Sequence, residues 1–207
     1  MFRAEQDWNV PACPLTLSPC ASIPQNVPYL QADPRLVERW RKELESLPGF
    51  KIRIAWQGSP TYAMDHFRSV PLAHFAALAK VRGVHLISLH KGPGTDQLDQ
   101  MDFPVRRLPA CVDQAAGPFM DTAAIMKCLH LVITSDAAIP HLAGALGVPI
   151  WVALPFVPDW RFLPDREDCP WYPTMRLFRQ DKRGDWQGVF ARLTAELVGR
   201  KPHRPAR

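Results

Sequence analysis

Short apolar segments with the composition of β-strands alternate along this chain with segments whose apolar residues recur every three or four positions. The strand-like segment 51–56 (KIRIAW) follows a helical segment that opens with Asp33 and Pro34, and 84–90 (VHLISLH) follows a second helical segment. Strands and helices in alternation predict an α/β protein with a Rossmann-like open parallel sheet and helices on both faces. Such sheets bind ligands beyond the carboxyl ends of their strands, so we expect functional residues in the loops that follow strands.

Proline, glycine and capping residues set the boundaries of these elements. Asp33 is expected to be the N-cap of the first helix, with Pro34 at its first position, and Ser69 is expected to be the N-cap of the second. The predicted strands are 51–56, 84–90, 105–108, 131–134, 149–154 and 175–179. The predicted helices are 33–47, 69–82, 119–129, 138–146 and 185–198, with a weak helix ending near residue 101.

The 207 residues are enough for one domain with a full core. Prolines are the unusual component of the chain: there are 22 of them, against an average share of about 5% of residues. Six prolines precede residue 35, and five more lie between residues 155 and 173. We therefore predict an irregular proline-rich connector over 1–32, a Rossmann-like domain over 33–198 and a basic, disordered tail over 199–207.

Charge and cysteine content argue against several classes of function. The net charge is +5, of which the tail supplies +4, and no basic stripe with interleaved aromatic residues indicates a nucleic-acid partner. The five cysteines form no C-x-x-C pair, so we expect no metal site and reduced thiols in a cytoplasmic protein. No run of about 18 apolar residues is present, so no membrane span is expected.

The loop after the first predicted strand, 57–71, carries a candidate phosphate-binding group. Gly58 would let a ligand approach the backbone closely. Arg68 would lie just before the second helix, where the positive end of the helix dipole and the guanidinium both favour a phosphate. The sequence contains neither a Walker A nor a G-x-G-x-x-G motif here. The alternative interpretation is an ordinary polar surface loop with a solvated arginine.

Two further loops follow predicted strands. Lys91, in the turn SLHKGPG, would neutralise a diphosphate or remain solvated. Asp136 follows a buried strand, and the backbone amides of Ala137 and Ala138, at the start of the next helix, form a natural anion site. Asp136 would either cap that helix or bind sugar hydroxyls. His141 would reach the same cleft from the first helical turn. The alternative is a partly buried histidine whose hydrogen bonds are made within the protein.

A fourth, proline-rich loop combines aromatic and arginine side chains in 159–161 (DWR) and 170–173 (PWYP). The flat aromatic and guanidinium groups would pack on a base or a sugar. Alternatively, the loop would be a stiff lid folded back on the core. The nearby acidic residues, Asp165, Glu167 and Asp168, are interpreted as surface ion pairs rather than a glycosidase pair. Because neither G-x-S-x-G nor H-E-x-x-H occurs, no catalytic residue is assigned.

The segments WQGSP, HFRSVPL, SLHKGP and TSDAAIPHLAGALGVP occur in this order along the chain. Together they resemble the C-terminal, donor-nucleotide half of GT-B glycosyltransferases, and the resemblance covers about 23–198. Within that group the chain resembles the heptosyltransferase-like (glycosyltransferase family 9-like) domain that follows tetratricopeptide repeats in many bacterial proteins. Each motif is weak alone, and the combination is specific.

The resemblance implies transfer of a sugar from a nucleotide-diphosphate sugar without a bound metal or other cofactor. Arg68 matches the family's basic residue for the diphosphate, and Lys91 matches a Q-K-G-P turn. Asp121 and Thr122 match an Asp-Thr pair at the edge of the nucleotide.

The stretch from Asp136 to His141 matches the family motif D-T-x-x-x-H-L-A-x-A-L-G, which touches donor phosphates and sugar. Ala137 replaces the threonine of that motif, so a hydroxyl donor to phosphate is lost, although the backbone amide there remains. His90 replaces the usual glutamine before the lysine. The candidate donor-binding residues are therefore Gly58, Arg68, Ser69, Lys91, Asp121, Thr122, Asp136, Ala137, Ala138 and His141.

A GT-B enzyme needs two Rossmann-like halves, and the resemblance accounts for one. We therefore expect a nucleotide-sugar-binding domain that is incomplete without an N-terminal acceptor half, supplied by a preceding segment or by a second subunit. The alternative is a truncated, non-catalytic scaffold or interaction module of the same fold. A nucleotide-sugar 2-epimerase is a third interpretation, which the H-L-A-G-A-L-G match disfavours.

Overall fold

The computed structural model describes residues 26–200, and within this range six parallel strands form a single sheet. The strands are β1 (Phe50–Ala55), β2 (Val84–Ser88), β3 (Val105–Arg107), β4 (Leu131–Ser135), β5 (Ile150–Leu154) and β6 (Met175–Arg179). Their order across the sheet is β3-β2-β1-β4-β5-β6. The predicted Rossmann-like α/β fold is thereby confirmed, and the strands differ from their predicted bounds only at their ends.

The helices fall between these strands in chain order. They are α1 (Pro34–Glu45), α2 (Asp65–Arg68), α3 (Ala76–Ala79), α4 (Met120–Lys127), α5 (Ala138–Ala145) and α6 (Trp186–Gly199). Short 3₁₀ helices occupy Leu72–Phe75, Thr95–Gln100 and Trp160–Phe162. The first helix opens as predicted, because the carboxylate of Asp33 accepts hydrogen bonds from the backbone of Arg35 and Leu36 at 2.7 and 3.3 Å.

The prediction that one helix begins at Ser69 is wrong about where that helix begins. The polar loop before it ends in the one-turn helix α2, and Ser69 terminates that turn with an extended backbone (ψ 134°). Helical structure resumes only after Pro71, which caps a 3₁₀ turn without a side-chain hydrogen bond. Because the ring of a proline disfavours the helical conformation in the residue before it, Val70 stays outside the helix, and a helix cannot begin at Ser69 and continue through Pro71. Ser69 is therefore the C-cap of α2 and not the N-cap of the following helix.

The sheet is buried on both faces, as expected for parallel strands with helices on either side. Ile52 and Ile133 point to the face covered by α3 and α6, whereas Val132 and Val152 point to the face covered by α4 and α5. Every residue of β4 and β5 is buried. Burying one such aliphatic side chain contributes about 1.5–3 kcal/mol, so this two-sided core is the main source of stability.

The segment before α1 packs onto the body of the domain. Residues 26–33 contain no helix or strand. The amides of Tyr29 and Leu30 nevertheless both donate to the carbonyl of Ala145 at 3.0 and 3.1 Å, and the hydroxyls of Tyr29 and Tyr172 lie 3.2 Å apart. The last residues of the connector are thus fixed against the C-terminal end of α5. The rest of the predicted connector, 1–25, lies outside the described residues.

The last helix ends one residue later than predicted. Helix α6 continues through Gly199, and the guanidinium of Arg200 lies 4.7 Å from the ring centre of Trp151. The remaining tail residues, 201–207, lie outside the described part of the chain. Between residues 26 and 200, no helix combines the length and apolar character that a membrane crossing requires.

The strand order reverses between β1 and β4. From β1 the chain continues to one side through β2 and β3, and from β4 it continues to the other side through β5 and β6. The connections that leave β1 and β4 therefore diverge, and a crevice opens between them at the carboxyl edge of the sheet.

The ring of Tyr172 packs closely against helix α5 at Gly144. A Cβ atom at this position would lie 2.4 Å from Cγ of the Tyr172 ring, and that buried ring cannot retreat without breaking its contact with Tyr29. Despite the better helix propensity of alanine, we expect Gly144→Ala to lower the free energy of unfolding by about 1–3 kcal/mol through overpacking. Urea unfolding followed by circular dichroism measures this. Gly199→Ala, which meets no atom within 4 Å, is the matched control, and equal stability of the two variants would contradict the packing argument.

Candidate functional site

A cleft of about 900 Å³ lies at the carboxyl ends of β1, β2 and β4. Its walls come from the loops that follow these strands and from the starts of α4 and α5, where the reversal of strand order leads us to expect a ligand. Eight of the ten candidate residues line it: Gly58, Arg68, Lys91, Thr122, Asp136, Ala137, Ala138 and His141. Ser69 and Asp121 do not.

Asp65 orients the Arg68 side of the cleft. One oxygen of this buried carboxylate accepts from Nε of Arg68 at 3.0 Å, and the other accepts from the hydroxyl of Ser69 at 2.8 Å. The Ser69 hydroxyl in turn accepts from the amide of Gly58 at 3.2 Å. The guanidinium also lies 4.4 Å from the ring centre of Tyr62. Arg68 is therefore held over the cleft before any ligand arrives.

Gly58 makes this arrangement possible. A Cβ atom there would lie 2.4 Å from Oδ1 of Asp65 and 2.6 Å from a terminal nitrogen of Arg68. The close approach expected from the sequence at this glycine is thus made by the protein's own ion pair. Asp65 is a site residue that the sequence analysis missed, and the spacing D-x-x-R-S was the available signal.

Lys91 is positioned from the opposite wall. Its ammonium donates to the carbonyl of Val112 at 2.5 Å and to Oδ2 of Asp113 at 2.8 Å. Asp113 also accepts two bonds from Thr122, from the backbone amide at 2.8 Å and from the hydroxyl at 2.6 Å. Burial raises the pKa of the Asp113 carboxyl, but the bonds from Lys91 and Thr122 outweigh it and hold the pKa below its usual value. Asp113 stays ionised as the centre of this cluster.

Asp121 supports the cluster from behind rather than facing the cleft. Its buried carboxylate accepts from the indole N–H of Trp40 at 2.7 Å and from the backbone amide of Asp113 at 2.8 Å. Asp113 has a positive φ of 60°, an uncommon conformation for a residue with a side chain. The bond from its amide to Asp121 helps to fix that conformation. Of the Asp-Thr pair singled out in the sequence, only Thr122 lines the cleft.

The start of α5 closes the cleft opposite β1. Ala137 is the N-cap of this helix, and no side chain caps it, so Asp136 is not a capping residue. Burial raises the pKa of the Asp136 carboxyl; the charges of Arg68 and Arg161 lower it, while that of Asp159 raises it further. Asp136, Arg68 and Arg161 all line the cleft.

His141 faces the cleft from the first turn of α5. Its ring lies 6.1 Å from that of Phe162 and 5.9 Å from that of Tyr172. Burial lowers the pKa of His141, and the neighbouring charge of Arg161 lowers it further, against a smaller opposing effect of Asp159. His141 is therefore neutral at physiological pH and available for hydrogen bonding.

The proline-rich loop forms the rim beside His141. Asp159 accepts from the backbone amide of Arg161 at 3.0 Å, and the indole N–H of Trp171 donates to the Arg161 carbonyl at 2.8 Å. Trp160 projects outward and is 70% exposed. The carboxylates of Glu167 and Asp168 pair with surface arginines, as predicted.

A second depression adjoins the cleft and shares three residues with it, Arg68, Asp136 and Arg161. Several large apolar side chains that line it are exposed to solvent: Tyr62, Met64, Phe67, Phe156 and Val157. An apolar surface beside a polar cleft indicates contact with another macromolecular surface or with an apolar part of a ligand.

Arg53 lies at the floor of the cleft, and the sequence analysis missed it. Its side chain is fully buried, and its three guanidinium nitrogens have no hydrogen-bond partner within residues 26–200. Burial lowers the pKa of Arg53 to about 9, opposed by the charge of Asp113. The group therefore keeps its charge at neutral pH while its donors stay unused. An arginine between Ile52 and Ile54 in a strand predicted to be buried was the available signal.

The described residues contain no cluster of three or more His, Cys, Asp or Glu side chains arranged to hold a metal ion. The three cysteines in this part of the chain, Cys111, Cys128 and Cys169, are free thiols.

The fold belongs to the Rossmann-like class found in glycosyltransferase family 9 structures. The chain is similar to E. coli ADP-heptose LPS heptosyltransferase II, with a TM-score of 0.59 and 16% identity over 86% of this chain. It is also similar to the glycosyl transferase family 9 protein of Veillonella parvula DSM 2008, with a TM-score of 0.55 and 16% identity over 82% of this chain. At these identities the similarity establishes the fold. This chain spans about half of each solved chain, 55% and 53% respectively.

One sequence relative extends the comparison. The chain is 30% identical over 189 residues to Protein FlbA of Caulobacter vibrioides, which is 88% of this chain and 31% of FlbA. No protein-family model matches the chain.

Replacing Arg53 with methionine is expected to stabilise the domain. Methionine has a similar length, and the residues beside Arg53 on the neighbouring strands, Ile87 and Val132, are apolar. Removing buried donors that have no partner should raise the free energy of unfolding by about 1–3 kcal/mol. Chemical denaturation of both proteins measures the difference. Arg82→Met, at an exposed position, serves as the control, and a loss of stability in Arg53→Met would show that the guanidinium has partners in solution.

The Asp113 cluster should make part of the stability sensitive to acid. The folded-state pKa of Asp113 is below its unfolded value of about 3.9, so its contribution is present above that pH and disappears as the pH falls through the folded pKa. The stability difference between the wild type and Asp113→Asn should therefore be largest near neutrality and shrink below about pH 4. Urea unfolding across this range measures it, with Asp102→Asn as the exposed control. A difference that does not vary with pH would contradict this assignment.

Proposed function

We propose that this chain binds a nucleotide-diphosphate sugar in the cleft and serves as the donor-binding part of a glycosyltransferase. The observation that carries the proposal is the convergence of Arg68, Lys91 and the start of α5 on one cleft at the reversal of strand order. Each of the two basic side chains is held in place by a carboxylate, Asp65 or Asp113. A flexible anionic group such as a diphosphate is the ligand that such a pre-oriented set of donors fits.

The proposed chemistry is displacement at the anomeric carbon of the sugar, with the nucleoside diphosphate as the leaving group. Arg68, Lys91 and the backbone amides at Ala137 and Ala138 would stabilise the negative charge that develops on the diphosphate as the glycosidic bond breaks. These donors would perform the role that a metal ion has in other transferases, so we propose a metal-independent reaction. His141, neutral and facing the same cleft, would bind donor phosphate or sugar.

The acceptor would bind on a second, N-terminal half. The two solved glycosyltransferase chains are about twice as long as the part that this chain matches, and the matched region makes up 31% of FlbA. We propose that the acceptor half is contributed by a preceding segment, with tetratricopeptide repeats before it, or by another subunit. The free thiols Cys111, Cys128 and Cys169 fit a reducing, cytoplasmic setting.

A non-catalytic interaction module is the second candidate function. The observation that favours it is the row of exposed apolar side chains beside the cleft, among them Met64, Phe156 and Val157. The replacement of the family's threonine by Ala137 also favours it. The same apolar surface would serve an enzyme as the face on which the second half docks, so nucleotide binding decides between the two functions.

Binding of nucleoside diphosphates to the purified chain tests the proposal. Calorimetric titration with UDP, GDP, CDP and ADP is expected to detect at least one complex, and Arg68→Ala should weaken it about tenfold or more, the effect of one charge-assisted hydrogen bond. The affinity of Arg68→Lys should lie between those of the wild type and Arg68→Ala. Arg82→Ala, on the opposite edge of the sheet, should bind with the affinity of the wild type.

Failure to bind any of the four nucleotides, or an unchanged affinity in Arg68→Ala, would overturn the donor-binding proposal. The interaction module predicts that result together with a sedimentation coefficient that rises with protein concentration.

A further inference from the structure

Four cationic side chains line the cleft within the described part of the chain, and three of them are paired with a carboxylate. The pairs and their N–O distances are Arg68 with Asp65 at 3.0 Å, Lys91 with Asp113 at 2.8 Å and Arg161 with Asp159 at 3.1 Å. Arg53 is the fourth cation. Its three guanidinium nitrogens are buried, and none of them has a hydrogen-bond partner between residues 26 and 200.

The charge of Arg53 is only partly balanced by the protein. Asp113 acts on Arg53 through its charge, but the oxygens of Asp113 already accept three hydrogen bonds, from Lys91 and Thr122. The single negative charge of this carboxylate is therefore shared between two cations, and one positive charge is left in excess.

An anionic ligand would remove both deficits of Arg53. Taking a guanidinium out of water is costly unless hydrogen-bond acceptors and an opposite charge replace the solvent. A neutral ligand atom would supply an acceptor but would leave the excess positive charge in place, whereas the oxygens of an anion supply both.

The position of Arg53 places such an anion beside Lys91. Arg53 lies next to Ile87 of the neighbouring strand β2, and Lys91 is in the loop that follows β2. Both cations line the cleft together with Asp113. The proposed function assigns Lys91 to a diphosphate, so the anion nearest to Arg53 is a phosphate of that group.

We propose that Arg53 binds a phosphate group of the ligand from the floor of the cleft, beside Lys91. A guanidinium presents its donors in one plane and binds two phosphate oxygens at once, which an ammonium group cannot do. The unliganded domain loses stability by burying this group, and the bound phosphate restores it. The inference rests on the proposed function in taking the phosphate from a nucleoside diphosphate.

Inorganic pyrophosphate is the probe that tests this, because it carries the phosphate groups without a base or a sugar. Calorimetric titration at constant ionic strength is expected to detect binding to the wild type. Arg53→Met should weaken that binding about tenfold or more, the effect of losing hydrogen bonds to a charged group. Arg82→Met, at an exposed position, should bind pyrophosphate with the affinity of the wild type. An unchanged affinity in Arg53→Met, or no binding to the wild type, would overturn the inference.

Unfolding measurements separate a lost contact from a damaged fold. Without ligand, Arg53→Met is expected to be more stable than the wild type, whereas saturating pyrophosphate should stabilise the wild type more than the variant. A variant that is less stable in both conditions would contradict the inference, because its weaker binding would follow from damage to the fold. Should Arg53→Met fail to fold, Arg53→Lys decides: it keeps the charge without the planar donors, and an affinity equal to that of the wild type would overturn the inference.

The two proposals fail differently. If pyrophosphate binding depends on Arg53 and no nucleoside diphosphate binds, nucleotide binding is refuted and the phosphate site at Arg53 stands. If a nucleoside diphosphate binds and is weakened by Arg68→Ala but not by Arg53→Met, only the role of Arg53 is refuted.

Discussion

The reversal of strand order between β1 and β4 is the constraint on which the rest of this structure depends. Neighbouring parallel strands whose connections run to the same side leave no gap between their loops, whereas these two send their chains in opposite directions. The gap lies at the carboxyl edge of the sheet, where helix starts present backbone N–H groups that have no hydrogen-bond partner within their helix. The candidate site residues that line the cleft, such as Gly58 and His141, lie close together because of this one feature of the topology.

Two basic side chains along the cleft are each held in place by an acidic one. Asp65 fixes Arg68, Asp113 fixes Lys91, and Asp121 holds the backbone of Asp113 in turn. A free lysine or arginine loses up to about 2 kcal/mol of side-chain entropy when it is ordered. Here part of that cost is already borne in the unliganded protein. Arg53 departs from this pattern, since it has charge nearby but no acceptor.

The fold could be predicted well from the sequence, because the spacing of apolar residues and the positions of turn residues determine it. Strands such as β4 and β5 are short segments rich in β-branched and other apolar residues, and their length and flanking turn residues favour buried strands. The position of the candidate loops followed from the same argument, because every strand of a parallel sheet ends at the same edge.

The arrangement inside those loops could not be predicted in the same way. Asp65 acts from a single helical turn, which is too short to show a period, and Asp113 acts from a left-handed backbone position that local sequence does not specify. Ser69 has the chemistry of an N-cap, but Pro71 keeps Val70 out of the helical conformation and so delays the next helix. The hydroxyl of Ser69 bonds to Asp65 instead. Asp121 points toward Trp40 of α1 because of tertiary packing.

The attachment of Tyr29 has a mechanical consequence. Tyr29 is bound to the end of α5 through its backbone and to Tyr172 through its hydroxyl, and the ring of Tyr172 packs against His141 in the cleft wall. A displacement of the backbone at Tyr29 would therefore reach the wall of the cleft through two side-chain contacts, Tyr29 to Tyr172 and Tyr172 to His141.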